Sequence, residues 1–163
     1  MRHSLAQIGV DVEAKADNAG VEVEVQWGEA AAPVIPADHL ADDHFVERDG
    51  LRYAGSHLII DLWDAKYLDD MGVIEIALRR AINAAGATLL HLHLHEFAPS
   101  GGVSGVALLA ESHVSIHTWP ERGYAAIDVF MCGSAKPHRV IPILKYVFKA
   151  GRIAITEQLR GVV

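Results

Sequence analysis

Cysteine and long apolar stretches are both scarce in this chain of 163 residues. Cys132 is the only cysteine, which excludes an internal disulfide and any cysteine-rich zinc site. Polar residues interrupt the apolar stretches within about ten residues, whereas a membrane-spanning helix needs roughly 20, so we predict no membrane segment. The N-terminal sequence also lacks an apolar segment followed by a cleavage site of small residues. We therefore expect a cytoplasmic protein.

Basic residues are scarce as well, and the acidic excess is unevenly placed. The chain has 14 Lys and Arg against 21 Asp and Glu, and residues 11–50 contain eleven acidic residues and two basic ones. An acidic segment repels phosphate backbones, and the remaining sequence has no basic stripe with interleaved aromatic residues. We therefore expect no nucleic-acid partner.

The composition is that of a globular protein, with 51% hydrophobic and 21% charged residues. We interpret residues 1–50 as an acidic and mobile leader that precedes one domain over residues 51–163. Val21, Val23 and Val25 alternate as in one short strand, but residues 28–44 have neither a helical nor a strand period.

From about residue 55 the sequence predicts well-bounded elements. Apolar residues recur at helical spacing between Asp70 and Ala85, and a second helix is predicted over 138–150. Strands are predicted over 57–63, 87–97, 103–110, 113–119, 124–132 and 152–159. Short turns between successive strands favour antiparallel pairing. The predicted fold class is α+β: a two-layer sandwich with a mainly antiparallel sheet that helices cover on one face.

Three imidazoles alternate along the second predicted strand, at His91, His93 and His95. Residues two apart on a strand share a face, so these side chains form a candidate metal site. They also lie nearly 7 Å apart, which makes it difficult for all three to bind one ion. We favour the alternative, in which they are polar residues of an exposed face or an interface.

A denser group of reactive residues runs from Glu111 to Cys132. Ser112 is followed five positions later by His117, a spacing that allows a nucleophile beside a general base. No nucleophile-elbow motif surrounds Ser112, however, and no acid is evident to orient the imidazole. A hydrolase triad is therefore the weaker interpretation. Trp119 and Pro120 are expected to shape a turn, and His113 to be structural.

The stretch GVSGVALLAESHVSIHTWPERGYAAIDVFMCG, residues 102–133, closely resembles the prokaryotic S-adenosylmethionine decarboxylase proenzymes. The resemblance extends from about Gly55 to Cys132 and continues more loosely to the end of the chain. It implies that the Glu111–Ser112 bond breaks autocatalytically and that Ser112 becomes a pyruvoyl group, the cofactor of the reaction. The two products are residues 1–111 and residues 112–163.

The same resemblance assigns roles to five further residues. Ser104 and His117 match residues that assist processing, and Cys132 matches the catalytic acid. Glu121 matches a carboxylate that holds ribose hydroxyls, and Phe97 an aromatic residue that stacks on the ligand. These residue types suit the chemistry, because decarboxylation needs an electron sink, an imidazole transfers protons near neutral pH, and a thiol can return a proton to carbon.

The resemblance thus implies a self-processing decarboxylase that makes decarboxylated S-adenosylmethionine for spermidine biosynthesis, as a homodimer of processed protomers with sites near the interface. One alternative is a pyruvoyl-dependent ornithine or arginine decarboxylase, and Phe97 and Glu121 argue against it because those substrates have no nucleoside. Another is an unprocessed regulatory paralogue, against which the presence of Ser112, His117 and Cys132 argues.

Overall fold

A computed structural model describes residues 10–17, 20–27 and 45–163. The chain divides into two compact units, Met1–Asp42 and Asp43–Val163. In the first unit, β1 (Val10–Asp17) and β2 (Gly20–Trp27) form an antiparallel hairpin. The strand predicted from Val21 to Val25 is confirmed as part of β2. Residues 28–44 lie outside the described residues, and the mobility of residues 1–50 stays a prediction.

The second unit is built around a six-stranded sheet. A short hairpin precedes it, formed by β3 (Val46–Arg48) and β4 (Leu51–Tyr53). The sheet strands are β5 (Gly55–Trp63), β6 (Leu89–Phe97), β7 (Gly102–Leu109), β8 (Ser112–Trp119), β9 (Tyr124–Met131) and β10 (Arg152–Arg160). Their order is β10-β5-β9-β8-β7-β6, and all neighbours pair antiparallel. The helices are α1 (Met71–Ala85) and α2 (Val140–Val147).

Only one face of this sheet is buried by the helices. Leu58, Ile60 and Leu62 of β5 are fully buried in a core that they share with apolar residues of α1 and α2. Alternate residues point to the other face, which within this unit carries half-exposed apolar side chains: Ile59 is 45%, Val106 46% and Leu108 53% exposed. The predicted fold class, a two-layer α+β sandwich covered on one face, is confirmed.

The helix ends follow from local chemistry. Asp70 caps α1, because its carboxylate accepts a hydrogen bond of 3.0 Å from the Val73 amide, and Gly86 ends the helix with φ +76°. Both ends agree with the sequence prediction. The helix predicted over 138–150 is wrong in length. Pro137–Arg139 is a 3₁₀ turn, and Lys149 has a left-handed backbone (φ +48°) that cannot continue an α-helix.

Within the described ranges, 10–17, 20–27 and 45–163, no helix combines the length and the apolar character needed to cross a bilayer.

Replacing Asp70 by Ala removes the cap of α1 and is expected to lower the free energy of unfolding by about 1 kcal/mol. Urea unfolding measures this, in a Ser112→Ala background that removes the hydroxyl on which the implied cleavage depends. Asp69→Ala is the matched control, because Asp69 is an exposed neighbouring carboxylate and its loss is expected to change stability by less than about 0.5 kcal/mol. Equal destabilisation by the two substitutions would contradict the capping role.

Candidate active site

The turn between β7 and β8 has two residues, Ala110 and Glu111, because Leu109 pairs directly with Ser112. The Ala110 amide donates a hydrogen bond of 2.9 Å to the Thr88 carbonyl, which anchors the turn. Glu111 has φ +61°, a left-handed conformation that costs an L-residue about 1–2 kcal/mol. The peptide bond between Glu111 and Ser112 therefore follows a strained residue at an exposed turn.

Cys132 lies against this turn because it directly follows β9, the strand next to β8. Its thiol donates a hydrogen bond of 2.8 Å to the Glu111 carbonyl oxygen. Its backbone amide donates to Ser112 Oγ at 3.3 Å, and Sγ lies 3.5 Å from the same oxygen. Ser112 is only 8% exposed. A nucleophilic oxygen thus lies beside a carbonyl whose oxygen already has a hydrogen-bond donor, the arrangement that stabilises a developing oxyanion.

A second cluster lies farther along β8. Ser104 of β7 is the register partner of His117, and Ser104 Oγ and His117 Nδ1 share a hydrogen bond of 2.7 Å. Both belong to the outward-pointing series of their strands. A hydroxyl hydrogen-bonded to an imidazole can transfer a proton, provided that a reacting group reaches the imidazole from outside the sheet.

This pair lies in a groove of about 210 Å³ that also contains two other predicted site residues, Phe97 and Glu121. Phe97 is 48% exposed, and Glu121 lies in the 3₁₀ turn Pro120–Arg122, which confirms the turn expected at Trp119 and Pro120. The complete lining is Phe97, Ser100, Gly102, Ser104, His117, Thr118, Trp119 and Glu121. The groove is smaller than the roughly 300–1,000 Å³ of typical ligand pockets, so a single chain encloses only part of a nucleoside-sized ligand.

A larger depression, of about 390 Å³, lies on the β3–β4 hairpin and is lined by residues 47–52. None of the sequence-predicted site residues is among them. The candidate site is therefore the smaller groove together with the β7–β8 turn.

The two clusters are separate within one chain. Ser112 and His117 are five positions apart on β8, which corresponds to about 17 Å along the strand. Ser112 belongs to the buried series of β8, and His117 belongs to the exposed series on the opposite face. The hydrolase interpretation, which needs Ser112 and His117 in contact, is therefore wrong for a single chain. Ser112 lies beside Cys132 instead, and His117 beside Ser104.

The three alternating imidazoles lie on the outward side of β6, the edge strand, and all are exposed. His95 packs edge-on against Phe97, with ring centroids 4.7 Å apart. In the part of the chain that the structure describes, no three His, Cys, Asp or Glu side chains are grouped to hold a metal ion. His113, expected to be structural, packs its ring against Phe130 at 5.7 Å.

Sequence reasoning missed a ring stack that extends from the groove across the outward face. Trp119 contacts Tyr124 at 5.2 Å between centroids, and Tyr124 contacts Trp63 at 4.4 Å. The Tyr124 hydroxyl donates a hydrogen bond of 2.6 Å to Asp61, and this bond together with burial raises the pKa of Tyr124 to about 12. The hydrogen bond holds the Tyr124 ring in the stack, and Trp119, at the other end of its contact, lines the groove together with Glu121. In the sequence, the feature that could have indicated this stack is Asp61, a charged residue within a mainly apolar strand.

Comparison with known proteins agrees with this geometry. The family model described as S-adenosylmethionine decarboxylase matches residues 56–161. The S-adenosylmethionine decarboxylase proenzyme of Thermomicrobium roseum is 43% identical over 114 residues, which cover 69% of this chain and 98% of the relative. The proenzyme of the same name from Methanococcus aeolicus is 46% identical over 114 residues, covering 68% of this chain and 97% of the relative.

A solved structure gives the same result. The crystal structure of the adenosylmethionine decarboxylase from Aquifex aeolicus superposes with a TM-score of 0.62 at 36% sequence identity, covering 68% of this chain and 93% of that chain. The family-model match, residues 56–161, extends over the sheet that carries the β7–β8 turn, Cys132 and the Ser104–His117 pair. With these similarities in sequence and in fold, the chain belongs to the S-adenosylmethionine decarboxylase family.

Proposed function

We propose that this chain is a proenzyme that cleaves its own Glu111–Ser112 bond and then decarboxylates S-adenosylmethionine with a pyruvoyl group at position 112. The observation that carries the proposal is the contact between the Cys132 thiol and the Glu111 carbonyl oxygen, 2.8 Å, beside the Ser112 hydroxyl. Membership of the family supports the same chemistry.

Cleavage begins with the addition of Ser112 Oγ to the Glu111 carbonyl carbon. The carbon–nitrogen bond of the amide breaks, which leaves an ester on Oγ and a free amine on Ser112. The Cys132 thiol donates to the carbonyl oxygen as it gains negative charge. Breaking the bond also releases the backbone strain at Glu111, where φ is +61°.

Two further steps complete the conversion. Loss of the Ser112 α-proton expels the Glu111 carboxylate from the β-carbon, and one water then replaces the nitrogen, which departs as ammonia. A base has to take the α-proton, and an imidazole is suited to this at neutral pH. His117, hydrogen-bonded to Ser104, is our candidate for that base.

Position 112 fits a pyruvoyl group, because the residue there is small, largely buried and at the start of a strand. Such a group supplies a carbonyl that accepts the electron pair left behind when CO₂ departs. Cys132 Sγ lies 3.5 Å from the side-chain oxygen of this residue and is our candidate for the acid that returns a proton to the substrate carbon. Phe97 and Glu121 would bind the adenine and the ribose.

The separation of the two clusters supports a homodimer in which each site is composite. Because about 17 Å of strand separates Ser112 from His117 in one chain, we assign Ser112 and Cys132 of a site to one protomer, and Ser104 and His117 to its partner. A two-fold axis produces two equivalent sites of this kind. The half-exposed Ile59, Val106 and Leu108 on the open sheet face supply apolar surface for the contact.

The remaining alternatives receive less support. Ornithine and arginine contain no ribose or adenine that Glu121 and the exposed Phe97 ring, beside the Ser104–His117 pair, could bind. A regulatory chain that is not processed would not need the contact between the Cys132 thiol and the Glu111 carbonyl oxygen.

Intact mass under denaturing conditions tests self-cleavage. We expect two fragments, residues 1–111 and 112–163, with the second lighter by one ammonia than simple hydrolysis would make it. Ser112→Ala is expected to remain a single chain, because it lacks the attacking oxygen. Ser115→Ala, the matched control on the same strand, should cleave normally, since Ser115 bonds Asp128 instead. One full-length mass for the unmodified protein would refute the proposal.

Co-expression of two inactive variants tests the composite site. Ser112→Ala cannot cleave, and His117→Ala alone is expected to cleave at least about a hundredfold more slowly. In a mixed dimer, the intact His117 of the Ser112→Ala chain can serve the Ser112 of the other chain. Mass spectrometry should then detect a 112–163 fragment that carries the His117→Ala substitution.

The matched control for this mixture is a chain with both substitutions, co-expressed with His117→Ala, because no intact His117 is then available and no fragment should form. If the His117→Ala chain stays uncleaved in both mixtures, while the unmodified protein cleaves, the two clusters do not act across an interface.

Release of CO₂ from S-adenosylmethionine, ornithine and arginine tests substrate choice. We expect turnover of S-adenosylmethionine, and Glu121→Gln should raise its KM by about 10- to 100-fold, because a charged acceptor for ribose hydroxyls is lost. Glu75→Gln is the matched control, since Glu75 lies on α1 and pairs with Arg79. Turnover of ornithine or arginine alone would refute the assigned substrate.

A further inference from the structure

Thr118 lines the groove together with its neighbours His117 and Trp119, but the residue is only 6% exposed and belongs to the inward-pointing series of β8. The backbone register between β7 and β8 runs from Leu109 and Ser112 to Ser104 and His117. One position farther, the Val103 amide donates to Thr118 Oγ1 at 2.8 Å. A side-chain hydroxyl thus takes the place of a backbone acceptor directly after the Ser104–His117 pair.

The same hydroxyl also reaches a third segment of the chain. It donates its one proton to the Leu68 carbonyl at 2.7 Å, while the Val103 carbonyl is farther away, at 3.3 Å. Leu68 is buried in the connection between β5 and α1. One buried group therefore joins the end of β8, the start of β7 and the segment that precedes α1.

The hydrogen bond between the Val103 amide and the Thr118 hydroxyl lies next to the Ser104–His117 pair. Val103 is adjacent to Ser104 in the chain, and Thr118 is adjacent to His117. Gly102 lies close as well, because a Cβ built there would be 2.9 Å from the Thr118 carbonyl oxygen. No other residue type carries a hydroxyl, which is both donor and acceptor, and a methyl group on the same branched carbon.

We propose that Thr118 is a positioning residue of the reaction: its buried hydroxyl fixes the Ser104–His117 pair and the groove wall that receives the nucleoside. The effect on substrate binding rests on the proposed function, whereas the positioning of the Ser104–His117 pair does not depend on it. Removal of the hydroxyl leaves the Val103 amide without its acceptor, and the start of β7 then shifts relative to β8.

The experiment compares Thr118→Val, which keeps the shape and removes the hydroxyl, with Thr118→Ser, which keeps the hydroxyl. Thr156→Val makes the same chemical change at an exposed position on β10, three strands from β8. The readouts are KM and kcat for S-adenosylmethionine and the ¹⁵N signals of the His117 imidazole in histidine-labelled protein, assigned through His117→Asn.

We expect Thr118→Val to raise KM about tenfold with kcat changed by less than about threefold, and to shift the His117 signals. Thr118→Ser and Thr156→Val should match the unmodified protein in both readouts. Unchanged KM and His117 signals in Thr118→Val would overturn the proposal, and so would equal impairment of Thr118→Ser, which would assign the effect to the methyl group.

Two further outcomes separate the role of Thr118 from failure of the proposed function and from failure of the variant to fold. If the unmodified protein does not turn over S-adenosylmethionine, the proposed function fails, while the His117 signals of the variants still decide the role of Thr118. If Thr118→Val does not fold, amide exchange of the unmodified chain decides. Slow exchange of the Val103 amide supports the hydroxyl bond, and exchange as fast as that of a solvent-exposed amide overturns it.

Discussion

The alternation of side chains along β8 is the constraint on which the rest of this molecule depends. Successive residues of a strand point to opposite faces, so Ser112 and His117, five apart, cannot share one. The helices bury the face of Ser112, and they leave the face of His117 open. Each chain therefore has two separate clusters, one at the β7–β8 turn and one in the groove. The dimer that we propose follows from this arrangement of a single strand.

In the function that we propose, the Cys132 thiol serves two stages of the chemistry. Before cleavage it contacts the Glu111 carbonyl oxygen, where negative charge would develop. After the proposed cleavage that carbonyl would belong to the new end of the other fragment, and the thiol would remain beside position 112, where the proposed decarboxylation needs an acid. The two roles of the thiol would not compete, because the cleavage step itself removes the Glu111 carbonyl oxygen that accepts its hydrogen bond.

The sequence was sufficient to predict the strands of the six-stranded sheet and the extent of α1, because these depend on local periodicity. It was not sufficient for the end of α2, where a left-handed Lys149 stops the helix without Gly. The grouping of Glu121 and Phe97 with His117 was reached through family resemblance. The separation of Ser112 from His117 was available from strand periodicity, whereas the contacts of Thr118 depend on Leu68, fifty residues earlier.

The strand order has a consequence for a chain that is cut between residues 111 and 112. The N-terminal fragment would supply β5, β6 and β7, and the C-terminal fragment β8, β9 and β10. In the order β10-β5-β9-β8-β7-β6 these strands interleave, so three of the five strand interfaces join one fragment to the other. β5 is enclosed on both sides by strands of the other fragment. After such a cut the two fragments would stay joined through these strand interfaces, and neither could dissociate without disrupting the sheet.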